Sequence, residues 1–271
     1  KGYFKSEKLD VTIDAGNGSG GTVTRVASGS YDIGFADVAA LMEFHANNPT
    51  APNKPVAVMM VYNNTPAAVL ALKKSGIKTP ADLSAKKLGA PVFDAGRKAF
   101  PIFAKANKVS GVQWTSMDPP LRETMLVRGD VDAITGFYFT SLLNLNARGV
   151  KDDEIDVMMY PKHGVNLYGN AIIVSEQFLR EKPEAVKAFL RAFTRGMKDV
   201  LADPDGAIRY VKERDALVDE ALEKRRMKLA IDSVVATPTA RADGIGGVQP
   251  ARLAEMVNQV SSAFELKSPV R

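Results

Sequence analysis

From residue 9 to residue 148, short segments with the period of a strand alternate with segments that have the period of a helix. Strands and helices taken in turn point to an α/β fold. In residues 9–13, Leu9, Val11 and Ile13 alternate with Asp10 and Thr12, which predicts the first strand. Further strands are predicted over residues 31–36, 55–62, 67–73, 87–92, 112–116, 131–135, 155–160 and 167–174. Residues 56–61 are apolar without interruption (Val56, Ala57, Val58, Met59, Met60, Val61), the pattern of a strand buried on both faces of a parallel sheet. Helices are expected over 37–46 with Asp37 as N-cap, over 97–107, after Asp118-Pro119-Pro120, and over 140–148. Beyond Ser175 helical patterns dominate, over 183–202, 204–214, 218–235 and 250–264. In the first of these, Val186, Phe189, Leu190, Phe193, Met197 and Leu201 fall on one face and mark core packing.

Gly16-Asn17-Gly18-Ser19-Gly20-Gly21 separates the first strand from a short helix. Such a turn lets backbone N–H groups approach a ligand without interference from a Cβ, and the helix end adds partial positive charge. Its spacing matches neither a P-loop nor a dinucleotide fingerprint, and a plain connector is the alternative reading. A second small-residue loop, Phe93-Asp94-Ala95-Gly96, precedes the helix at 97–107. The two units echo one another: Ser28-Gly29-Ser30-Tyr31-Asp32-Ile33-Gly34-Phe35 is matched by Arg128-Gly129-Asp130-Val131-Asp132-Ala133-Ile134-Thr135-Gly136-Phe137. In open parallel sheets ligands sit beyond the carboxyl ends of strands. Those ends are Phe35-Ala36-Asp37 and Thr135-Gly136-Phe137-Tyr138, so two lobes facing one cleft are expected.

Composition narrows the chemistry. The chain has 271 residues, with 36 Lys plus Arg against 31 Asp plus Glu and a net charge of +5. Its basic residues are interspersed with acidic ones, which argues against a nucleic-acid face or a polybasic membrane patch. No cysteine is present, so disulfides, thiolate metal sites, iron–sulfur clusters and cysteine nucleophiles are excluded. His45 and His163 lack the paired spacing of a zinc site. No run approaches the roughly 18 to 20 apolar residues of a membrane span.

Several segments, in order and spacing, resemble the solute receptors of ABC importers for sulfonates, nitrate, taurine and thiamine-pyrimidine precursors. They are Lys1-Gly2-Tyr3-Phe4-Lys5 with Leu9-Asp10-Val11; Ala27-Ser28-Gly29 with Asp32-Ile33-Gly34; and Gly76-Ile77-Lys78-Thr79-Pro80-Ala81-Asp82-Leu83. Gly129-Asp130-Val131-Asp132-Ala133, Tyr168-Gly169-Asn170, and Lys182-Pro183-Glu184-Ala185-Val186 with Ala188-Phe189-Leu190 continue the match. The resemblance implies a two-lobed periplasmic-binding-protein-like α/β fold, each lobe a mostly parallel sheet flanked by helices, joined by a two-strand hinge. On that reading residues 1–65 and 167–271 form lobe I, with the C-terminal helices, and 66–166 form lobe II. It further implies an exported, periplasmic monomer that binds a small polar or anionic organic solute between the lobes and docks on an ABC permease and its ATPase. Relatives carry a leading strand ahead of the Lys-Gly-Tyr-Phe equivalent, so an N-terminal strand outside this sequence is expected.

The expected ligand-binding residues follow from the two loops and the crossings. Ser19, Gly20, Gly21 and Thr22 would offer donors, with Ala36 and Asp37 closing that side. Phe93, Ala95, Gly96 and Arg97 would repeat the arrangement on the facing lobe, Arg97 pairing a carboxylate or sulfonate. Phe137 and Tyr138 would supply an apolar wall, and Asn64, Tyr168 and Asn170 would contribute at the crossings. Each has a plainer reading: Asp37 as a cap, Arg97 as a solvated helix-start residue, the aromatics as core. Trp114 is expected in the core. No catalytic residue, metal or cofactor is expected. The enzymatic alternative is a thiamine-pyrimidine synthase on the same fold; those relatives use a cysteine-containing iron motif with histidine and lysine chemistry, and this chain has no cysteine and no histidine near either loop. The effector-sensing part of a regulator is a third reading, without an attached helix-turn-helix.

Overall fold

The computed structural model describes residues 1–270. Two sheets organise it. The first has three strands, β1 (Ile33–Asp37), β2 (Pro55–Met60) and β8 (Asn170–Ser175), in the order β1-β8-β2. The second has five, β3 (Ala67–Leu72), β4 (Lys87–Gly89), β5 (Gln113–Thr115), β6 (Ala133–Phe137) and β7 (Ile155–Met159), in the order β5-β4-β6-β3-β7. The chain passes to the second sheet between β2 and β3 and returns between β7 and β8. The two crossings pair with each other: Thr65 N–H donates to the Leu167 carbonyl at 2.9 Å, and Gly169 N–H to that of Tyr62 at 2.9 Å. This is the two-strand hinge of the two-lobed fold.

The pairing is mixed where mostly parallel sheets were expected. β8 lies antiparallel to both β1 and β2, and β3 antiparallel to both β6 and β7; only β4 pairs in parallel, with β5 and β6. β3 and β8 each arrive directly from the other sheet. A helical crossover of the kind that parallel neighbours need does not precede them.

Burial also redistributes the apolar runs. β3 and β8 are buried at every residue and are the strands covered on both faces. Fully burying a side chain such as Leu70 or Val69 contributes about 1.5–3 kcal/mol. β2, expected in that role, is an edge strand with a bulge between Ala57 and Met59, and only Pro55 and Met60 in it are buried. An apolar run does not distinguish the middle of a sheet from its rim. Residues 9–13 keep their alternation only as half-buried Leu9 and Val11 between exposed Asp10 and Thr12. Among the described residues no strand pairs with them, so they run as an extended segment, with the Ile13 carbonyl held by the Arg214 guanidinium at 2.6 Å.

Two aspartate-capped helices follow the strands that matter most. α3 (Val38–Asn47) starts directly at the end of β1, capped by Asp37, whose Oδ1 accepts from Ala39 N–H at 2.9 Å. α4 (Ala95–Asn107) starts shortly after β4, capped by Asp94, whose Oδ1 accepts from Arg97 N–H at 2.8 Å. Between the sheets and outer helices, Phe103 stacks on Tyr160 at 4.8 Å, and Trp114 meets Phe100 edge-on at 5.2 Å, packing against the core as expected. α2 (Ser19–Ala27) covers β1, and α6 (Tyr138–Asn146) follows β6 directly.

The C-terminal helices are α8 (Pro183–Ala202), α9 (Pro204–Arg214), α10 (Glu220–Ala230) and α12 (Pro250–Ala263). The expected single helix over 218–235 divides into α10 and a π-helical turn at Ile231–Val235. Val186 of α8 is buried, and Met197 and Leu201 pack against Phe139 and Val234, so the predicted apolar face of this helix does enter the core.

Candidate functional site

The end of β1 sets the first half of the site. Side chains alternate along a strand, so Phe35 and Asp37 share one face and Ala36 takes the other. Asp37 lies opposite Asn170 and Phe35 opposite Ile172 in the antiparallel register, which brings all four side chains to the same face. The glycine loop is tied to this strand end by one bond: Asp37 N–H donates to Ser19 Oγ at 3.0 Å.

The second half is built around Asp94. Its Oδ1 accepts from Arg97 N–H and from Thr135 Oγ1 at 3.1 Å, and its Oδ2 pairs with Arg122 Nη1 at 3.2 Å. Arg122, on α5 (Arg122–Arg128), also donates from Nε to Glu123 Oε1 at 3.0 Å. A Cβ at Gly136 would stand 2.9 Å from the Arg122 guanidinium carbon, so glycine lets the cation lie against β6.

The two loops touch. Gly18 has φ 130°, and a Cβ there would sit 2.6 Å from the Phe93 carbonyl oxygen. Only glycine combines that backbone conformation with that approach. A Cβ on Gly20 would meet the Phe93 ring at 3.5 Å.

Electrostatics reflect the same proximity. Burial pushes the Asp37 carboxyl up to about 7, and the negative charge of Asp94 adds to the rise against the N–H groups of Ala39 and Ala40. Burial likewise raises Asp94, even with Arg122 and several donors opposing it. Three buried side-chain atoms of this region have no hydrogen-bond partner: Asn170 Oδ1, Glu123 Oε2 and Ser141 Oγ.

Aromatic rings span the sheets. Tyr62, at the first crossing, meets Phe35 edge-on at 5.2 Å and lies 6.4 Å from Phe137 and 6.1 Å from Phe139. Burial pushes its hydroxyl up to about 12. Phe35 and Phe93 remain 41% and 48% exposed, so part of this apolar surface is open to a ligand.

Of the residues expected from the sequence, Ser19, Gly20, Asp37, Phe93, Ala95, Gly96, Phe137 and Asn170 are brought to these two strand ends. Gly96 is buried, with its carbonyl accepting from Tyr160 Oη at 2.8 Å, and Ala95 is buried beside it. Others are placed elsewhere. Ala36 is fully buried on the face of β1 away from Asp37. Tyr168 is fully buried, with Arg252 4.1 Å over its ring and its hydroxyl accepting from Gln249 N–H at 2.8 Å. Arg97 directs its guanidinium to the Ala90 carbonyl at 3.0 Å, to Ser116 Oγ at 2.9 Å and over the Trp114 ring at 4.8 Å; the ion partner of Asp94 is Arg122 instead. Thr22 Oγ1 donates within its own helix to the Gly18 carbonyl at 3.2 Å, and Gly21 faces Asn17. Asn64 is a hinge tie, its Oδ1 accepting from Arg252 Nη2 at 2.8 Å. Tyr138 donates to the Leu229 carbonyl at 3.3 Å and belongs to packing against α10.

Sequence reasoning named Phe35 and Thr135 only as parts of the strand ends and Asp94 only as part of the second loop, and it missed Tyr62 and Arg122 as members of the cluster. Asp94 was within reach, because Asp94-Ala95-Gly96 repeats the strand-end cap grammar of Asp37. Arg122 carries no such signal: nothing local distinguishes an Arg-Glu pair at a helix start from a solvated one. Two shallow surface depressions, one between α9 and α10 and one along α8, are rimmed by charged side chains and include none of the cluster.

Comparison with known proteins bears on the family and the fold. Over 211 residues the chain is 28% identical to the riboflavin-binding protein RibY of Chloroflexus aurantiacus, covering 76% of this chain and 58% of that protein. It is 27% identical over 218 residues to the 4-amino-5-hydroxymethyl-2-methylpyrimidine phosphate synthase of Aspergillus parasiticus, covering 76% and 62%. The chain thus spans about three fifths of the length of these curated relatives. In fold it is similar to the alkanesulfonate-binding protein SsuA from Xanthomonas axonopodis pv. citri, with a TM-score of 0.75 at 14% identity over 99% of this chain and 89% of that one. The fold is that of the periplasmic binding proteins, and since the family profile described as NMT1/THI5 like matches residues 1–207, the chain belongs to that family.

Proposed function

We propose that this protein is the solute receptor of an ABC importer, binding one small polar organic molecule between two lobes and delivering it to a permease. Lobe I comprises residues 1–65 and 167–271, and lobe II residues 66–166, with the paired crossings as the hinge. The observation that carries the reading is the meeting of two capped strand ends, one from each sheet, with Gly18 against Phe93 on one side and the Phe35, Tyr62 and Phe137 rings on another. A cleft of mostly apolar lining with a few convergent polar groups is the usual form of a small-molecule site. The similarity to proteins named for binding riboflavin and alkanesulfonate supports it. The receptor works outside the cytoplasmic membrane as a monomer and meets permease and ATPase only in transit. No helix among the described residues is long and apolar enough to cross a membrane.

A catalytic reading has support in the relative named as a pyrimidine phosphate synthase. The residues of the cluster favour binding over turnover. His45 Nε2 lies 2.6 Å from the Pro55 carbonyl and His163 packs on Phe103, both away from the cluster, and cysteine is absent. Thermal-shift screening of a solute library followed by isothermal titration tests the proposal. A saturable one-to-one ligand that raises Tm and is recovered unchanged is expected. Chemical conversion of that ligand by pure protein would overturn it.

A further inference from the structure

Asp37 and Asp94 cap helices that follow strands of different sheets, the charge of Asp94 acts on Asp37, and the charges around them do not balance. Asp37 is 4% exposed, and the side chains of Asp94, Arg122 and Glu123 are 11%, 9% and 1% exposed. Three carboxyls therefore face one buried guanidinium, with the charge of Arg97 reaching Asp94 alone from its place over Trp114. Arg122 is already engaged by Asp94 and Glu123, and among the described residues no cation pairs with Asp37. The capping role of Asp37 uses Oδ1 toward Ala39 N–H and accounts for the aspartate, but not for what lies opposite it.

Opposite it is Asn170, 6% exposed, whose Oδ1 has no hydrogen-bond partner. Directly paired residues of an antiparallel ladder put their side chains on one face, so this acceptor stands beside the Asp37 carboxyl. A buried acceptor without a donor is costly, and so is a buried carboxyl without a cation. A molecule that brings N–H donors relieves both, whereas an anion would meet three carboxyls. Phe35 lies two residues before Asp37 on the same face, with the Tyr62 ring perpendicular to it at 5.2 Å, which offers an apolar corner next to the acceptors.

We propose that the solute carries a planar, positively charged head of the amidine or guanidine kind, which donates to Asp37 and to Asn170 Oδ1 and lies against Phe35 and Tyr62. This selectivity for charge rests on the receptor reading above, and it is opposite in sign to the anionic solute that the glycine loop and Arg97 led us to expect. Arg97, the cation assigned to an anion, is turned onto Trp114.

Isothermal titration of the full chain with benzamidine and with benzenesulfonate, planar probes of opposite charge at equal ionic strength, tests it. Saturable one-to-one binding of benzamidine and none of benzenesulfonate is expected. Asp37→Asn, which preserves the cap, should weaken benzamidine by about ten-fold or more. Asn170→Leu should weaken it too without lowering Tm, because it also removes the unpartnered oxygen. Binding of benzenesulfonate in preference to benzamidine would overturn the charge assignment and leave the receptor reading standing. So would equal binding of both, or a folded Asp37→Asn protein that binds benzamidine as the wild type does. If neither probe nor any member of a broad solute library binds, both readings fall.

Discussion

Asp37 holds two roles in one side chain, helix cap and buried acid, and they pull its chemistry in opposite directions. The N–H groups of α3 favour the charged form, but burial and the nearby Asp94 outweigh them and raise the group from 3.8 to about 7. A carboxyl raised on folding holds its proton more tightly in the folded state. Its contribution to stability is therefore full below about 3.8, declines as pH rises, and levels off above about 7. Across pH 5 to 8 the decline amounts to about 3 kcal/mol at most. Urea melts should show the wild type losing stability over that interval, and Asp37→Asn, which has no proton to lose, should show a smaller loss. Equal slopes for the two proteins would mean that Asp37 is ionised at pH 5. Arg122 is the converse case. Arg122→Met leaves Asp94 and Glu123 buried without their cation and should cost about 3–5 kcal/mol, read as a fall in the urea midpoint.

At the scale of elements, the site depends on helices that begin where strands end. α3 and α4 each start at an aspartate cap; Asp37 is the last residue of β1, and Asp94 follows β4 after a short loop, held in place by Thr135 and Arg122. Gly96 is part of this packing: a Cβ there would stand 3.4 Å from Gly136 N and from Thr135 Cβ. A bulky replacement at Gly96 should therefore lower Tm as well as ligand affinity, and a variant of unchanged Tm would contradict the packing described. A second device joins the C-terminal helices to the second sheet. Arg226 of α10 pairs with Glu223 and donates to the Phe139 and Thr140 carbonyls at 3.2 Å, and Arg225 pairs with Asp152. Arg226→Ala should lower stability by about 1–3 kcal/mol, since it removes the charge-assisted hydrogen bonds that tie α10 to the start of α6. Hydrogen exchange should quicken over residues 220–235 and at the start of α6. Protection unchanged in α6 would show that the latch is not limiting there.

For the whole molecule, what matters is that both sheets are reached through one pair of crossings. Asn64, held by Arg252, and the Thr65–Leu167 and Tyr62–Gly169 bonds fix that hinge, while Gly18 and Phe93 meet on the far side of the gap. A bulkier residue at position 18 would strike the Phe93 carbonyl. Gly18→Val should therefore hold the sheets further apart, detectable as a larger radius of gyration in solution scattering and as weaker ligand binding, with a lower Tm from the strained backbone at that position. An unchanged radius would show that the loop, not the sheets, yields.

Local pattern determined a good deal of this protein. The strands from β1 to β8, the cap at Asp37, the helices rich in apolar repeats and the α/β class follow from periodicity and capping chemistry, which act over a few residues, and the two-lobed arrangement is what the family resemblance implies. Strand direction and strand rank were decided elsewhere. Residues 56–61 and 67–72 read alike as apolar runs, and only pairing in the sheet makes one an edge and the other a centre. The site divides in the same way. Glycine loops and the Asp37 cap are legible because backbone geometry demands them. The partnership of Asp94 with Arg122, the placement of Arg97 on Trp114 and the acceptor of Asn170 beside Asp37 come from contacts between residues far apart in sequence, and charge balance in a buried cluster exists only once those contacts are made.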